Sequence, residues 1–153
     1  MPKAIPDNYP RLCPYLIVDG ASDAIAFYEK VLGTTQRGRM DGPDGRVGHA
    51  ELELGDSLIM LADEMPSMGI VGPKTVGGSP VTLHVYVEDV DAVFAAALKD
   101  GASSTRELED RFYGDRSGQF EDPWGHRWDV SSHVEDVPPE EMAKRAEEAM
   151  AAG

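Results

Sequence analysis

The chain has 153 residues, the size of one ordinary domain, and 41% of them are hydrophobic, enough to build a core. Fourteen Lys and Arg against 28 Asp and Glu give a net charge of −14, which repels nucleic acid and anionic membrane surfaces and excludes both as expected partners. Cys13 is the only cysteine, so an intramolecular disulfide or a cysteine zinc cluster is excluded. The stretch from Met1 to Pro14 carries prolines and no apolar run, and no segment reaches membrane-spanning length, so a cytoplasmic location is expected.

Leu12 to Val18 reads as a short apolar strand. Ala21, Ile25, Tyr28 and Leu32 then recur at steps of four and three, the spacing of a helix with one buried stripe, and Gly33 stands where a left-handed cap costs least. Thr35 to Met40 is a strand leading into the turn Asp41-Gly42-Pro43-Asp44-Gly45. Val47 to Leu54 alternates His49, Glu51 and Glu53 with Ala50, Leu52 and Leu54, so one face of that strand is polar. Ser57 to Ala62 follows as a fourth strand.

The residues from Asp63 to Pro80 lose all periodicity and carry glycines and prolines, the composition of a linker. The order then recurs: Val81 to Val87 is a strand, Val90 to Asp100 a helix, Ser104 to Leu108 a weak strand, and Tyr113 to Glu121 and His126 to Ser132 the last two. Asp122-Pro123-Trp124-Gly125 turns between them. Pro138 and Pro139, Glu140 and Glu141, then Met142, Ala146 and Met150 at steps of four predict a terminal amphipathic helix over 138–153. Such a helix docks as a tail, closes as a lid or binds a partner, and the docked tail is the preferred reading.

The two halves are copies of one module. Asp23 to Gly33 is echoed by Asp91 to Gly101, each after an apolar strand, and self-similarity of this kind fixes architecture before any motif does. The expected fold class is α+β, with strand-helix-strand-strand-strand modules over 9–63 and 81–137, a linker over 64–80, and a single domain spanning 1–137. Successive strand residues point to opposite faces. Val81, Leu83, Val85 and Val87 therefore lie under the helix, while Thr82, His84 and Tyr86 face away from it. The same parity puts Cys13, Tyr15, Ile17, His49, Glu51, Glu53, Met60, Asp129 and Ser131 on the faces away from the helices. Trp128, with His126 and Val130, falls on the helix side as core.

These residues carry a resemblance. The paired modules, the helix end Phe27-Tyr28-Glu29-Lys30-Val31-Leu32-Gly33, the segment His84 to Asp91, and the run from Tyr113 through Asp122-Pro123-Trp124-Gly125-His126 to Trp128 resemble the glyoxalase/bleomycin-resistance group of the vicinal oxygen chelate superfamily. The resemblance covers roughly residues 9 to 137. It implies that metal-dependent members place ligands on the first and fourth strands of each module, positions held here by Cys13, Met60, Thr82 and Asp129. Only Asp129 is an ordinary ligand for a divalent ion, so the usual metal set is absent. A displaced set of His49, His84 and Asp129, holding zinc, nickel or manganese, is the alternative, with hydrogen bonding of both histidines in a polar cavity preferred.

The leading expectation is a small-molecule-binding protein of the bleomycin-resistance type, taking an aromatic or amphipathic compound without the usual metal. Its ligand-binding candidates are Cys13, Tyr15, Met60, Thr82, His84, Tyr86, Arg116 and Asp129. Cys13 is read as a small hydrophobe rather than a reactive thiol. Arg116 either meets a ligand carboxylate or pairs with Asp115 or Asp110. Met65 and Met68 either close over a ligand or serve no such purpose. The rival is a metal-dependent lyase or isomerase in which Glu51 or Glu53 moves a proton, those two being the catalytic candidates. The resemblance implies that modules from two chains can complete each cavity, and a homodimer is expected.

Overall fold

The computed structural model describes residues 1 to 153. The chain forms two compact units, one of Met1–Pro80 with Trp124–His126 and the other of Val81–Pro123 with Arg127–Gly153.

The first unit holds β1 (Tyr15–Val18), α1 (Ala21–Leu32), β2 (Thr35–Asp41), β3 (Val47–Leu54) and β4 (Ser57–Asp63). Its sheet runs β1-β4-β3-β2, with β1 parallel to β4 and the other pairs antiparallel. Leu16, Val18, Ala50, Leu52, Ile59 and Leu61 are buried with the α1 stripe of Ala21, Ile25, Tyr28 and Leu32. Gly33 ends α1 at φ 74°, a conformation that costs a side-chain-bearing residue, and its N–H reaches the Glu29 carbonyl at 3.1 Å. At the other end Gly20 has no side chain to cap the helix. The Asp63 carboxylate does so instead, accepting from the N–H groups of Gly20 and Ala21, both at 2.8 Å. Trp124 stands edge-on to Phe27, with 5.5 Å between ring centroids.

The second unit repeats the order with β5 (Thr82–Tyr86), α3 (Val90–Lys99), β6 (Ser103–Asp110), β7 (Asp115–Glu121) and β8 (Arg127–His133), the sheet running β5-β8-β7-β6; α2 (Pro73–Val76) lies earlier, in the linker. Val90, Phe94 and Ala97 of α3 are buried with Phe120, Trp128 and Val130. Trp128 is core as its parity predicts, and its indole N–H donates to Asp122 at 2.8 Å. Asp89 caps α3 by accepting from the Ala92 N–H at 3.1 Å. The C-terminal helix α4 (Pro139–Ala152) begins with proline and two glutamates as expected. It buries no residue, and is tied down by Arg145, which donates to Glu135 at 2.8 Å and to the Phe112 carbonyl at 3.1 Å.

Four expectations shift. The first strand starts at Tyr15, because Pro14 has no N–H to give a ladder, although its carbonyl still accepts from Met60 N–H at 3.0 Å. β6 is longer than its polar sequence suggests, since pairing with β7 supplies the ladder. His126 precedes β8, in a turn, and its Nε2 lies 3.0 Å from the Ile17 carbonyl. The linker is not featureless: a 3₁₀ turn at Pro66–Met68, a Met65–Ile70 bridge and α2 fold it. It passes so close to β1 that a Cβ on Gly72 would stand 2.6 Å from the Ile17 carbonyl oxygen. No helix is long and apolar enough to cross a membrane.

Candidate functional site

On the face of the first sheet that turns away from α1, strand register sets Tyr15 beside Met60 and Met60 beside Glu51. His49 lies two residues before Glu51 on the same face. The Tyr15 hydroxyl is 2.8 Å from His49 Nδ1, and His49 Nε2 is 3.0 Å from Glu51 Oε2. Glu51 also accepts from the Tyr9 hydroxyl at 3.0 Å and from Arg37 Nε at 2.9 Å, while the Arg37 guanidinium stacks 4.4 Å over the Tyr9 ring. The hydrogen bond from His49, with help from Arg37 and Tyr9, overcomes burial and holds the Glu51 carboxyl below its usual range. An ionised carboxylate only accepts, so Nε2 of a neutral His49 carries the proton and Nδ1 accepts from Tyr15. Burial, then the charge of Glu51, push the Tyr15 hydroxyl above its ordinary value.

Tyr15 also lines an open groove of about 1230 Å³. Its apolar lining is Ile17, Val47, Ala62, Met65, Ile70 and Val71, contributed by three strands and the folded linker. Polar groups at its edge are Asp19, Asp44, Asp63, Glu64 and Arg46. Arg46 is held at 3.0 Å from Asp19 and 3.1 Å from Asp63. Burial raises the Asp63 carboxyl, but the N–H donors of Val47, Ala21 and Gly20, together with Arg46, outweigh it and leave the group below its usual range. Asp63 thus binds the end of β4 to the start of α1 and to the β2–β3 hairpin that walls the groove.

Residues 11 to 130 match the Glyoxalase/Bleomycin resistance protein/Dioxygenase superfamily. The chain belongs to that superfamily. An uncharacterised protein of Mycobacterium bovis is 43% identical over 136 residues, covering 87% of this chain and 90% of its own. Among solved structures, a Pseudomonas aeruginosa protein aligns with a TM-score of 0.69 at 24% identity over 82% of this chain and 99% of its own. TioX of Micromonospora aligns with a TM-score of 0.63, also at 24% identity, over the same shares. At that identity these two structures speak for the fold alone.

The ligand positions expected for a metal-dependent superfamily member are a test of donor chemistry. Register places Tyr15 beside Met60 and His84 beside Asp129, with Cys13 and Thr82 two residues earlier in each module. Cys13 precedes the strand, and its thiol contacts the Pro10 carbonyl at 3.5 Å. In the first module the expected positions hold the Cys13 thiol and the Met60 thioether, a pair that suits a soft ion and not a hard one. In the second, His84 Nδ1 is 3.6 Å from Asp129 Oδ2, and Asp129 also accepts from the Gln119 side chain at 3.2 Å. Both ring nitrogens of His49 are engaged by Tyr15 and Glu51. No group of three or more His, Cys, Asp or Glu side chains gathers to hold a metal ion. The residues do not fit the resident metal of the superfamily.

The other expected site residues fall as follows. Tyr86, 60% exposed, donates its hydroxyl to Asp115 at 2.8 Å, which pushes its pKa above the ordinary value and opposes its ionisation. Thr82 is exposed on the same face as His84. Arg116 pairs with Asp91 at 2.9 Å and Asp110 at 3.2 Å, so its cation is spent on surface carboxylates; Asp110 was foreseen, whereas Asp115 instead accepts from Tyr86 and lies 2.8 Å from His133 Nδ1. Glu53 stands exposed, 3.9 Å from Arg37. Of the two expected proton carriers, Glu51 is a weakened base and Glu53 lies outside the hydrogen-bonded chain. Met65 lines the groove; Met68 is exposed and does not. Tyr9, Arg37, Arg46 and Asp63 escaped the sequence reading. Ile70-Val71, an apolar pair inside a glycine-rich stretch, was the one available signal that the linker packs on something.

Proposed function

We propose that the chain binds an aromatic or amphipathic small molecule in the groove of its first module, without a resident metal. The observation that carries this is the groove itself, with an apolar lining and a few fixed polar groups at one edge, the combination that ligand sites use. Four carboxylates against one arginine at that edge disfavour an anionic ligand. The residues at the superfamily's metal positions and the low basicity of Glu51 favour binding over metal-assisted lyase or isomerase chemistry. A cytoplasmic homodimer is part of the proposal, supported by the lone cysteine and the resemblance stated above.

Titration with N-phenyl-1-naphthylamine, a neutral probe that brightens in apolar surroundings, tests this reading. Saturable one-to-one binding that does not change when metal ions are chelated, and that weakens at least tenfold in Ile70→Glu, is the expected result. Binding that appears only on adding zinc, nickel or manganese would overturn it.

A further inference from the structure

We infer that Tyr15, His49 and Glu51 form a proton relay that removes a proton from a ligand held in the groove, so that the site performs general-base chemistry. This rests on the reading of the groove as a ligand site. Tyr15 is the member of the chain that lines the groove, and it is 47% exposed. Behind it the geometry is directional: the hydroxyl donates to His49 Nδ1 over 2.8 Å, and Nε2–H donates to Glu51 over 3.0 Å.

In the step, the acidic C–H proton of a ligand passes to the Tyr15 oxygen as the hydroxyl proton of Tyr15 passes to Nδ1. The ligand keeps the C–H electron pair, Tyr15 ends as it began, and His49 ends as an imidazolium beside the Glu51 carboxylate. Nothing else is oxidised or reduced. Tyr15 does not ionise alone, because burial and Glu51 oppose a phenolate, and the relay never requires one to persist. Glu51, already fixed by Tyr9 and Arg37, needs no rearrangement to stabilise the imidazolium, which is the preorganisation such catalysis depends on.

The second module supplies an internal control. Matching strand positions there hold His84 for Tyr15, Gln119 for Glu51 and, two residues before it, Ser117 for His49. That sheet forms with the same strand order, so the architecture does not require the Tyr-His-Glu chain.

The probe is 5-nitrobenzisoxazole, an uncharged aromatic whose C3 proton is lost to a base as the N–O bond breaks, the pair leaving on a phenolate oxygen read by absorbance. Saturable turnover is expected, with kcat lowered about 10²-fold in Tyr15→Phe and in His49→Gln. KM should stay within about twofold in Tyr15→Phe, since the ring remains. Nitrogen-15 spectra should show neutral His49 protonated on Nε2. A probe that binds but is not turned over, or equal kcat in Tyr15→Phe, overturns the relay and leaves the binding reading standing. A probe that does not bind at all overturns both.

Discussion

Removing the Asp63 carboxylate is expected to be the most destabilising polar change in the first module. Asp63 is only 8% exposed and accepts three backbone N–H groups, from Gly20, Ala21 and Val47, each at 2.8 Å, with Arg46 at 3.1 Å. A hydrogen bond to a charged acceptor contributes about 1.5–3 kcal/mol, and such terms do not sum when donors can find water. For Asp63→Ala we expect a loss of about 4 kcal/mol, or roughly 8–16 °C in melting temperature at about 2–4 °C per kcal/mol. Asp63→Asn, which keeps one acceptor oxygen, should lose about half as much. The native carboxyl titrates below its unfolded value, so its stabilisation is present above the unfolded pKa of about 3.9 and disappears as pH falls through the lower native value. Urea unfolding followed by circular dichroism from acid to neutral pH reads both effects. A loss under about 1 kcal/mol in Asp63→Ala, with the acid limb of the wild type intact in Asp63→Asn, would refute the reasoning.

The same assay should find Gly114→Ala destabilised by about 2–4 kcal/mol, because Gly114 sits at φ 99° and an added Cβ would collide with the Glu135 carbonyl oxygen; an unchanged midpoint would contradict this. Arg116→Met should leave N-phenyl-1-naphthylamine affinity unchanged, since Arg116 is occupied by Asp91 and Asp110 and does not line the groove. His133 lies between two carboxylates, Asp115 at 2.8 Å from Nδ1 and Asp136 at 2.7 Å from Nε2, and these hydrogen bonds raise its pKa, Asp115 most. Its stabilising contribution is therefore complete below the unfolded pKa of about 6.5 and is lost as pH rises through the higher native value. A proton NMR titration should place its midpoint above that of free histidine and show it falling in Asp136→Asn; no displacement in the wild type would refute the bridge.

Strand parity made the fold legible. Leu16 and Val18 face the helix and Tyr15 faces away because side chains alternate whatever the partner strand, and Gly33 announced the end of α1 because few other residues take its backbone angle. Register was legible through the repeat. Aligning the modules by their helices set Tyr15 level with His84 and Met60 level with Asp129, and the parallel ladders pair Tyr15 with Met60 and His84 with Asp129 in the same way. The site lay partly beyond reach. Arg37 meets Glu51 next to an irregularity between Gln36 and Gly38, where β2 and β3 fall out of step, and Tyr9 arrives from a segment with no periodicity at all. Asp63 read as the first residue of a linker, since a carboxylate that caps a helix 42 residues earlier carries no local signature.

The central claim, that the first-module groove is the ligand site, is tested most directly by amide chemical-shift mapping of the nitrogen-15-labelled protein titrated with N-phenyl-1-naphthylamine. Saturating shifts are expected at Ile17, Gly48, Met65, Ile70 and Val71, all of which line the groove. Saturating shifts centred instead on β5 and β8, with the groove amides unmoved, would contradict it.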